Sequence, residues 1–447
     1  MFVRPFDHLG SVSLIDLALR IPQASLLAGW EVLDGNPRWH TLAVDADVER
    51  ITSIESLAFV LANRSIDRSD KTEREYPPFT TGICSHFSYE AASLLEASLQ
   101  LPNASGQLPI LSYAAYDATV STHVCSGKTC IYASTTAAAD RLEAILTVEL
   151  SKSHQRYENY SFDSSSESDI KQEAYQRQVE DIRQRILAGD FFQANLTRML
   201  TADLGTVKRA QLSGFAERFL TQSRAPFGAI LNFPNATVIS ASPERFFRIE
   251  NSTEGRRIFA EPIKGTRPRH EEPNLDETAK NDLLNSEKDR AENIMIADLV
   301  RNDLSRICTD ESILADTVCE LRSFATVHHL VTRVSGMLKD EVSNLDALLA
   351  QFPCGSITGA PKWAAMDAIA ELEQRERGIY CGTIGYFDDR GHADFSVAIR
   401  TAVASFSESG TKLTYGTGGG ITMLSDPEEE FTETEDKAAG FLRALQP

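Results

Sequence analysis

The stretch FGAILNFPNATVISAS, residues 227–242, indicates most directly how this chain folds. Two runs rich in aromatic and β-branched residues flank Pro234 and Asn235, a pair typical of turns, and this pattern predicts a β-hairpin. Further strands are predicted at 81–89, 128–133, 335–338, 382–387, 392–404 and 412–415. Helices are predicted at 54–64, 174–187, 287–301, from Pro361 onward and from Pro427 to the end. Because strands and helices mix without strict βαβ alternation, we predict the α+β class with large, mostly antiparallel sheets.

A polar run at residues 151–170, nearly free of aliphatic side chains, predicts a linker or exposed loop. It separates an N-terminal region, residues 1–150, from a C-terminal region, residues 171–447. We find no catalytic constellation in the N-terminal region and expect it to pack on the C-terminal one as a structural companion.

Composition limits the possible functions. The 447 residues, 42% of them hydrophobic, suffice for a large core and more than one folding unit. Acidic residues outnumber basic ones 64 to 44, which gives a formal net charge of -20. Nucleic acids and anionic membranes bind basic surfaces, so we expect neither as a partner. Any site for a small anion must therefore be local.

The first residues lack the charged-then-apolar profile of a signal peptide, and no apolar run approaches the roughly 20 residues needed to cross a bilayer. The seven cysteines are scattered and form no Cys-x-x-Cys pair. We therefore expect a reduced, cytoplasmic enzyme.

Lys264 lies in the stretch EPIKGTRP, residues 261–268, between a proline and a glycine that constrain the backbone. An amine held in such a turn can attack carbon once it is desolvated and neutral. Burial or a cationic neighbour such as Arg267 would favour the neutral form. The alternative is an ordinary solvated lysine.

Two predicted helices each bring carboxylates to one face. Asp289 and Glu292 are three residues apart, as are Glu430 and Glu433, and Lys437 follows four residues after Glu433. Carboxylate oxygens from two helices are ligands that Mg²⁺ accepts, with positions left for water and an anionic substrate. The alternative for each set is a solvated helix face.

Two glycine-containing segments could bind an anion. Residues 355–362, GSITGAPK, predict a helix N-terminus with free N–H groups, although an ordinary capped helix has the same pattern. Residues 416–420, GTGGG, follow a predicted strand and could cradle a carboxylate with bare backbone, or simply form a turn.

Four further side chains are candidates for chemistry. Glu244 ends a predicted strand and could be a general acid, with an ordinary pair to Arg245 as the alternative. His328 and His329 precede an apolar run, where a histidine is often a satisfied core residue. Arg400 lies within an apolar predicted strand, so its charge needs a carboxylate from the protein or from a ligand.

Five stretches, in this order, resemble the signature motifs of the chorismate-utilising enzymes: FFQANL (191–196), PIKGTRP (262–268), AENIMIADLVRND (291–303), GSITGAPK (355–362) and EFTETEDK (430–437). The resemblance covers roughly residues 171 to 445, and the N-terminal region is similar only loosely to the amino-terminal region of anthranilate synthase component I. It implies a chorismate-binding catalytic domain at 171–447 and a two-layered β core with helices outside.

The resemblance also implies roles for individual residues. It implies that Mg²⁺ is the cofactor, with the ligands Glu292 and Glu433 and the neighbouring acids Asp289 and Glu430. It implies substrate binding by Gln193, Thr358, Tyr380, Arg400, Gly418, Gly419, Gly420 and Lys437. It implies that catalytic groups surround the reacting ring: Lys264, Glu244, His329 and Ser356. Cys354 stands where relatives usually have glycine, and we expect only a local change there.

Two positions distinguish branches of the family. Members that add water to chorismate carry lysine where this chain has Gln193, and anthranilate synthases usually carry alanine where it has Lys264. The resemblance therefore implies that Lys264 adds to C2 while Glu244 protonates the departing C4 hydroxyl. Ammonia then attacks C4 to give 4-amino-4-deoxychorismate, on the route to 4-aminobenzoate and folate.

The family members that aminate chorismate take ammonia from a separate glutamine amidotransferase. No such domain fits beside the regions assigned above, so we expect a heterodimer. The alternatives are anthranilate synthesis and, from another class, a non-catalytic chorismate-binding partner protein. The acidic and basic groups retained together argue against the latter, since burying charges without a role is costly.

Overall fold

The protein is described here by a computed structural model. It describes residues 1–10, 12–30, 39–44, 51–64, 76–102, 108–152, 166–223, 225–324 and 327–446.

Most of the described residues lie in strands or helices. The strands are β1 Phe2–Pro5, β2 Ser25–Trp30, β3 Trp39–Ala43, β4 Gly82–Phe87, β5 Leu111–Tyr116, β6 Ala118–His123, β7 Thr129–Ala133, β8 Ser166–Ser168, β9 Gln193–Asp203, β10 Phe227–Phe233, β11 Ala236–Ser242, β12 Arg245–Ser252, β13 Gly255–Ala260, β14 Ile263–Pro268, β15 Leu314–Ser323, β16 Val327–Met337, β17 Gly359–Ala360, β18 Thr383–Asp388, β19 Ala393–Val397, β20 Thr401–Ser407 and β21 Gly410–Ile421. The α-helices are α1 Leu14–Arg20, α2 Ile54–Asn63, α3 Thr136–Ser151, α4 Gln172–Ala188, α5 Ser213–Ser223, α6 Pro273–Asn285, α7 Glu287–Ser305, α8 Asn344–Gln351, α9 Lys362–Glu373 and α10 Pro427–Leu445. Short 3-10 helices lie at Tyr89–Leu94, Arg209–Leu212, Asp310–Ser312 and Gly355–Ile357.

The strands form two large sheets. Across the described residues, the larger sheet has 12 strands in the order β1-β7-β6-β3-β2-β10-β11-β20-β21-β9-β17, with β8 on β9. The smaller has nine, in the order β14-β16-β13-β12-β19-β18-β4-β5, with β15 on β16. Neighbouring strands run antiparallel in both sheets, as in the register of β10 on β11 and of β9 on β21. The predicted α+β class with large antiparallel sheets is confirmed.

The central strand β10 shows why the core has two layers. Successive side chains of a strand point to opposite faces. Phe227, Ala229 and Leu231 pack into a cluster shared with β4, β5 and β18 of the smaller sheet. Ile230, on the other face, joins the cluster formed with α1, α3, α5 and α10. A strand that is buried on both faces is mostly apolar, which explains the apolar run that predicted β10. Its buried polar side chain, Asn232, donates to the carbonyl oxygens of Ala18 and Ile21.

The predicted hairpin is confirmed residue for residue, with β10 and β11 joined across Pro234 and Asn235. The predicted helices are found as α2, α4, α7, α9 and α10, and α4 ends at Gly189 in the left-handed conformation at φ 91°. Within the described residues, no helix is both long and apolar enough to span a membrane.

Three strand predictions are wrong in extent. The strand predicted at 335–338 is only the end of β16, Val327–Met337. The predicted strand 392–404 is broken into β19, in the smaller sheet, and β20, in the larger sheet. Arg400 lies at the crossing with φ 50°, a left-handed conformation that ends strand pairing. The predicted strand 412–415 extends as β21 through Ile421, so the glycine run lies inside a paired strand and not in a loop.

The predicted linker falls mostly on residues outside the described ones, and its last part, Ser166–Ser168, forms β8 against β9. Strands from residues 1–150 pair directly with strands of the C-terminal region: β2 pairs with β10, and β4 pairs with β18. The two regions therefore share both sheets, and the boundary near residue 150 stays a prediction.

Candidate active site

The two sheets meet at Lys264. This residue lies on β14, the edge strand of the smaller sheet, and its ammonium reaches Gly420 on β21 of the larger sheet. A Cβ placed on Gly420 would lie 2.9 Å from Lys264 Nζ and 2.7 Å from Gln193 Nε2. A side chain at 420 would therefore meet the ends of the Lys264 and Gln193 side chains and would push them aside. The predicted substrate residues Gln193 and Gly420 and the predicted nucleophile are brought together.

Gln193 begins β9 and is fully buried, and neither its Nε2 nor its Oε1 has a hydrogen-bond partner among the described residues. Buried amides are normally paired, because leaving one unpaired costs about 1–3 kcal/mol. An unpaired amide beside an amine is therefore the mark of a place that a ligand completes.

Helix α10 brings its acids to the same glycines. Thr417 Oγ1 donates to the carbonyl oxygen of Thr434 at 2.8 Å, which fixes the helix on β21. A Cβ on Gly419 would lie 3.0 Å from Glu430 Oε2 and 3.8 Å from Glu433 Oε1. The helical spacing that predicted a shared face for the two acids is confirmed.

Lys437, one turn after Glu433, pairs with Glu433 Oε1 at 2.6 Å and donates to the carbonyl oxygen of Gly418 at 2.8 Å. About half of the Glu433 side chain is exposed (51%), so this end of the site opens to solvent. Burial acts to raise the pKa of Glu433, but the ammonium groups of Lys437, Lys264 and Lys288 outweigh it and lower that pKa. Glu433 is therefore ionised at neutral pH.

Helix α7 carries Glu292, whose carboxylate feels the charges of Lys264 and of Glu433. The amide of Asn293 donates to the carbonyl oxygen of Leu330 at 3.1 Å and fixes α7 against β16. Burial raises the pKa of Glu292, and Lys264 and Lys288 act against that rise. Lys288 lies one helical turn before Glu292. It was not singled out from the sequence, because an exposed lysine has no distinguishing pattern.

Asp289 has a different partner from the one expected of a metal ligand. Arg267 Nη2 lies 3.2 Å from Asp289 Oδ2, and Arg267 Nε lies 2.5 Å from Asp282 Oδ2. The Arg267 charge is thus compensated by two carboxylates, so it is not the free cationic neighbour suggested for Lys264. Asp289 also packs against Gly265, whose φ of 79° a side chain would strain.

Glu244 is buried beside this cluster, one residue before β12. Burial raises the pKa of Glu244 to about 7, while a hydrogen bond from Ser356 and the charges of Lys264 and Lys437 limit the rise. Its Oε1 has no hydrogen-bond partner within the described part of the chain. A carboxyl group that is half protonated near neutral pH, with one oxygen free, can transfer a proton to a ligand.

The two histidines on β16 differ in their surroundings. His328 is fully buried and bonded on both sides, with Nε2 2.9 Å from Asp276 Oδ1 and Nδ1 2.8 Å from Ser323 Oγ, so it is a satisfied core residue. His329 Nδ1 lies 2.9 Å from Thr266 Oγ1 on β14. Burial, helped by the nearby charge of Arg400, lowers the pKa of His329 to about 4, so its ring is neutral at neutral pH.

Arg400 forms no ion pair with any of the residues that the structure describes. A half-buried guanidinium without a carboxylate partner fits the expectation that a ligand supplies one. Tyr380, also predicted to bind substrate, is buried with its ring against Gly416, where a Cβ would lie 2.2 Å from Tyr380 Cδ1.

The segment 355–362 is arranged differently from a simple anion-binding helix end. A 3-10 turn, Gly355–Ile357, brings Ser356 to Glu244, and α9 begins only at Lys362. Lys362 Nζ is paired with Asp303 Oδ2 at 2.9 Å and so is not free for an anion. Thr358 is fully buried and donates its hydroxyl to the carbonyl oxygen of Cys354 at 3.1 Å, so its side chain holds the turn.

Sequence reasoning missed Arg377. This fully buried guanidinium pairs with Glu373 at 2.7 Å and donates to the carbonyl oxygens of Ile357 at 3.1 Å and Asn195 at 2.5 Å. It thereby ties the Ser356 turn to β9, which carries Gln193. No local pattern marks such a residue, because its acceptors are backbone carbonyls that are distant in sequence.

The carboxylates of Glu430 and Glu433, near Gly419, suit Mg²⁺ better than they suit a metal ion that takes all of its ligands from the protein. In the described ranges, no group of three or more His, Cys, Asp or Glu side chains is arranged to hold a metal ion. Mg²⁺ needs only one or two carboxylates and takes water and substrate oxygens for the rest. Glu430 Oε2 is buried and has no hydrogen-bond partner among the described residues. Burial, and next the charge of Glu433, raise the pKa of Glu430, which indicates an incompletely compensated carboxylate.

Together these groups have the character of an enzyme active site suited to an anionic small molecule. An amine, a carboxyl group of raised pKa and carboxylates suited to a hard cation lie where two sheets meet, with a guanidinium that has no ion pair among the described residues. Such a set can displace a hydroxyl group through a covalent intermediate.

Comparison with known proteins identifies the family. The family model for chorismate binding enzyme matches residues 32–443. Aminodeoxychorismate synthase component 1 of Escherichia coli K12 is 32% identical over 407 residues, which cover 90% of this chain and 86% of that protein. The chain belongs to the chorismate binding enzyme family.

Two more relatives define the likeness further. Aminodeoxychorismate synthase of Streptomyces griseus is 44% identical over 274 residues, 61% of this chain, but the chain spans only 36% of that protein's length. The crystal structure of anthranilate synthase component I from Streptococcus pneumoniae superposes with a TM-score of 0.76 at 26% identity, covering 92% of this chain and 94% of that one.

Proposed function

We propose that this chain is the chorismate-aminating component of an aminodeoxychorismate synthase, which converts chorismate and ammonia to 4-amino-4-deoxychorismate on the way to 4-aminobenzoate and folate. The observation that carries the proposal is Lys264 Nζ, which lies against Gly420 and Gln193 where the two sheets meet. The S. griseus and E. coli relatives, both named for this activity, support the same assignment.

Substrate binding follows from the charges around the site. Arg400, which has no carboxylate partner in the described chain, and Lys437 are suited to the carboxylates of chorismate. Glu292 and Glu433, with Glu430 beside them, would hold Mg²⁺. When bound, the ion would neutralise the ring carboxylate and polarise the ring. Tyr380 would pack along the bound ring.

In the first half of the proposed reaction, Lys264 in its neutral form adds to C2. The two conjugated ring double bonds each shift by one position, the C4–O bond breaks, and the hydroxyl leaves as water with a proton from Glu244. The raised pKa of Glu244 supports this role, since a carboxyl of ordinary pKa would be almost fully ionised at pH 7. His329, neutral in this pH range, would supply a hydrogen bond without adding charge.

In the second half, ammonia attacks C4, the two double bonds shift back and the C2–N bond to Lys264 breaks. Covalent catalysis gains here by splitting one hard substitution into two easier steps. Family members that add water to chorismate carry lysine at the position of Gln193. The amide of Gln193 is not a base, so no group at that position would activate water. The amine reactant would come from a glutamine amidotransferase subunit in a heterodimer. The E. coli relative is named component 1, and this supports a second component.

The test is product identification. We expect the purified chain, given chorismate, Mg²⁺ and an ammonium salt, to form 4-amino-4-deoxychorismate, resolved by liquid chromatography and mass spectrometry. Glutamine should replace ammonium only after a glutamine amidotransferase subunit is added. Glutamine-dependent product from this chain alone would overturn the proposed heterodimer.

Anthranilate synthesis is the second candidate, and the likeness to the S. pneumoniae structure favours considering it. That reaction ends in loss of pyruvate and a fluorescent product. Anthranilate fluorescence as the main signal, with no aminodeoxychorismate detected, would contradict the proposed function.

A further inference from the structure

Arg198 is a buried cation on β9 that has no role assigned above. It is 5% exposed, and it forms no ion pair with a carboxylate of the described residues. Its Nε donates to Thr434 Oγ1 on α10 at 2.7 Å, and its guanidinium carbon lies 4.6 Å from the centre of the Phe431 ring. Burying a charge among neutral partners is costly, so a guanidinium between β9 and α10 needs a reason.

The donors and acceptors around Thr434 are fully determined. Its hydroxyl donates its one proton to the carbonyl oxygen of Phe431 at 2.7 Å, so it accepts from Arg198, which can only donate. The carbonyl oxygen of Thr434 accepts from Thr417 Oγ1 at 2.8 Å. Thr417 and Arg198 lie directly opposite each other on β21 and β9. One cross-strand pair therefore holds Thr434 by its side chain and by its backbone.

The two residues of α10 that contact Arg198 each follow one of the acids. Phe431 follows Glu430, and Thr434 follows Glu433. Successive residues of a helix are rotated by about 100°, so a helix that is fixed on one face is also fixed in the direction of the neighbouring face. The neighbouring face of α10 is the one whose carboxylates lie at Gly419. Rotation of the helix would move both carboxylates together.

The charge of Arg198 is not what sets the ionisation of these acids. Burial acts to raise the pKa of Glu433, and the ammonium groups of three lysines outweigh it. Arg198 is not one of those groups. Its contacts bear on where the acids lie. A further bond, from Arg198 Nη1 to Ser168 Oγ at 3.2 Å, ties β8 to the same arrangement.

We propose that Arg198 is a positioning residue for the cation site: by holding Thr434 and Phe431, it sets the rotation of α10 that presents Glu430 and Glu433 to Mg²⁺. The proposal rests on the proposed function, in which these acids belong to the Mg²⁺ site. Without the guanidinium, α10 can adopt other rotations on β9 and β21, and the carboxylates are less often in place.

Mg²⁺ binding tests the proposal without turnover. We expect Arg198→Met to raise the Kd for Mg²⁺, measured by calorimetry on the purified chain, by on the order of tenfold. The Mg²⁺ concentration that gives half of the maximal rate should rise by a similar factor, while kcat at saturating Mg²⁺ changes less than about twofold. An unchanged Kd would overturn the proposal.

Arg209 provides a matched control. Its Nε donates to Thr237 Oγ1 at 2.9 Å, and its guanidinium carbon lies 5.4 Å from the centre of the Phe406 ring. These are the same kinds of partner as those of Arg198, but neither lies on α10. We expect Arg209→Met to lower the melting temperature and to leave the Kd for Mg²⁺ unchanged. Equal losses of Mg²⁺ affinity in the two variants would show a merely structural role.

Thr434 gives a second route to the same answer, even if Arg198→Met fails to fold. Thr434→Val removes the acceptor hydroxyl and should weaken Mg²⁺ binding, whereas Thr434→Ser keeps the hydroxyl and should restore it. Adding Thr434→Val to Arg198→Met should weaken binding no further, because the two groups act through one hydrogen bond. Additive losses, or no rescue by serine, would count against the proposal.

Product identification separates this proposal from the proposed function. Weakened Mg²⁺ binding in Arg198→Met, in a protein whose wild type makes another product, would sink the proposed function and leave the positioning role standing. Formation of 4-amino-4-deoxychorismate by the wild type, with unchanged Mg²⁺ binding in Arg198→Met, would do the reverse.

Discussion

Two adjacent residues, Glu244 and Arg245, are both buried and charged but have opposite surroundings. Arg245 is held on both sides, with Nη1 2.5 Å from Glu261 Oε2 and Nε 3.0 Å from Asp394 Oδ1. Glu244 keeps an oxygen without any partner in the described chain, next to the amine of Lys264. Buried charges that are paired hold a fold together, whereas a buried charge that is left unpaired costs stability and is retained for chemistry.

The same contrast separates Glu261 from Lys264 within one motif. Burial acts to raise the pKa of Glu261, but Arg245, Arg322 and Arg333 together lower it to about 2. Lys264, three residues later, faces glutamates that belong to three different elements. One short stretch therefore carries a structural anchor and the proposed nucleophile.

The largest expected effect is on the reactive side of this comparison. We expect Lys264→Ala to lower the rate of C4 amination by on the order of 10³-fold or more, with chorismate binding retained, because the covalent route is removed. Turnover and calorimetric binding measure the two quantities. The matched control is Lys412→Ala, an exposed lysine on β21. Full activity in the Lys264 variant would end the covalent scheme.

On the paired side, we expect Arg245→Met to lower the free energy of unfolding by about 3 kcal/mol, because Glu261 and Asp394 lose a shared buried partner. Urea denaturation measures the loss. The exposed pair of Arg301 and Asp298, 2.8 Å apart, provides the control: Arg301→Met should cost less than about 1 kcal/mol. Equal losses would remove the distinction between the two kinds of pair.

We expect the substitution Glu244→Gln to lower the activity but to raise the free energy of unfolding at pH 8. Glu244→Gln should lower kcat by about 10²-fold, because the proton donor is lost. In the wild type, kcat should fall tenfold per pH unit above about 7, where Glu244 ionises. This alkaline limb should be absent from the variant. Glu250→Gln, on β12, is the activity control.

The stability prediction for Glu244 follows from proton linkage. Its pKa of about 7 in the folded state exceeds the ordinary 4.5, so between these values the folded state binds more protons than the unfolded state. The free energy of unfolding therefore falls as pH rises from 4.5 to about 7. At pH 8 we expect Glu244→Gln to be more stable than the wild type by about 2 kcal/mol. A less stable variant would mean that Glu244 belongs with the structural charges.

The smallest effect concerns Glu430, whose Oε1 accepts from Ser425 at 2.6 Å while Oε2 has no partner in the described chain. We expect Glu430→Gln to raise the free energy of unfolding at pH 8 by less than about 1 kcal/mol. Calorimetry should show Mg²⁺ binding weakened about threefold to tenfold. Glu428→Gln, exposed on the same helix, should leave both quantities unchanged.

Much of the site could be predicted because its residues lie in five sequence motifs that occur in a recognisable order. The spacing of Glu430 and Glu433 places both acids at Gly419. The turn expected at Lys264 is wrong, because this residue lies in the strand β14, with a register shift between Lys264 and Thr266. Asp289 was less predictable, since its partner Arg267 lies on another element. Arg400 was placed in a continuous strand because the residues on both sides of it are apolar, but they belong to two different sheets.

Local pattern by itself determined the hairpin of β10 and β11, the helices that carry the acids and the family likeness, because periodicity, turn residues and motif spacing depend only on neighbours in the chain. Only the tertiary structure decided which buried charges are paired. Glu244 and Arg245 are adjacent charged residues, and the sequence around them does not show which one is paired. The groups that surround them come from segments far apart in the chain. Pairing depends on distances in space, which a linear pattern does not contain.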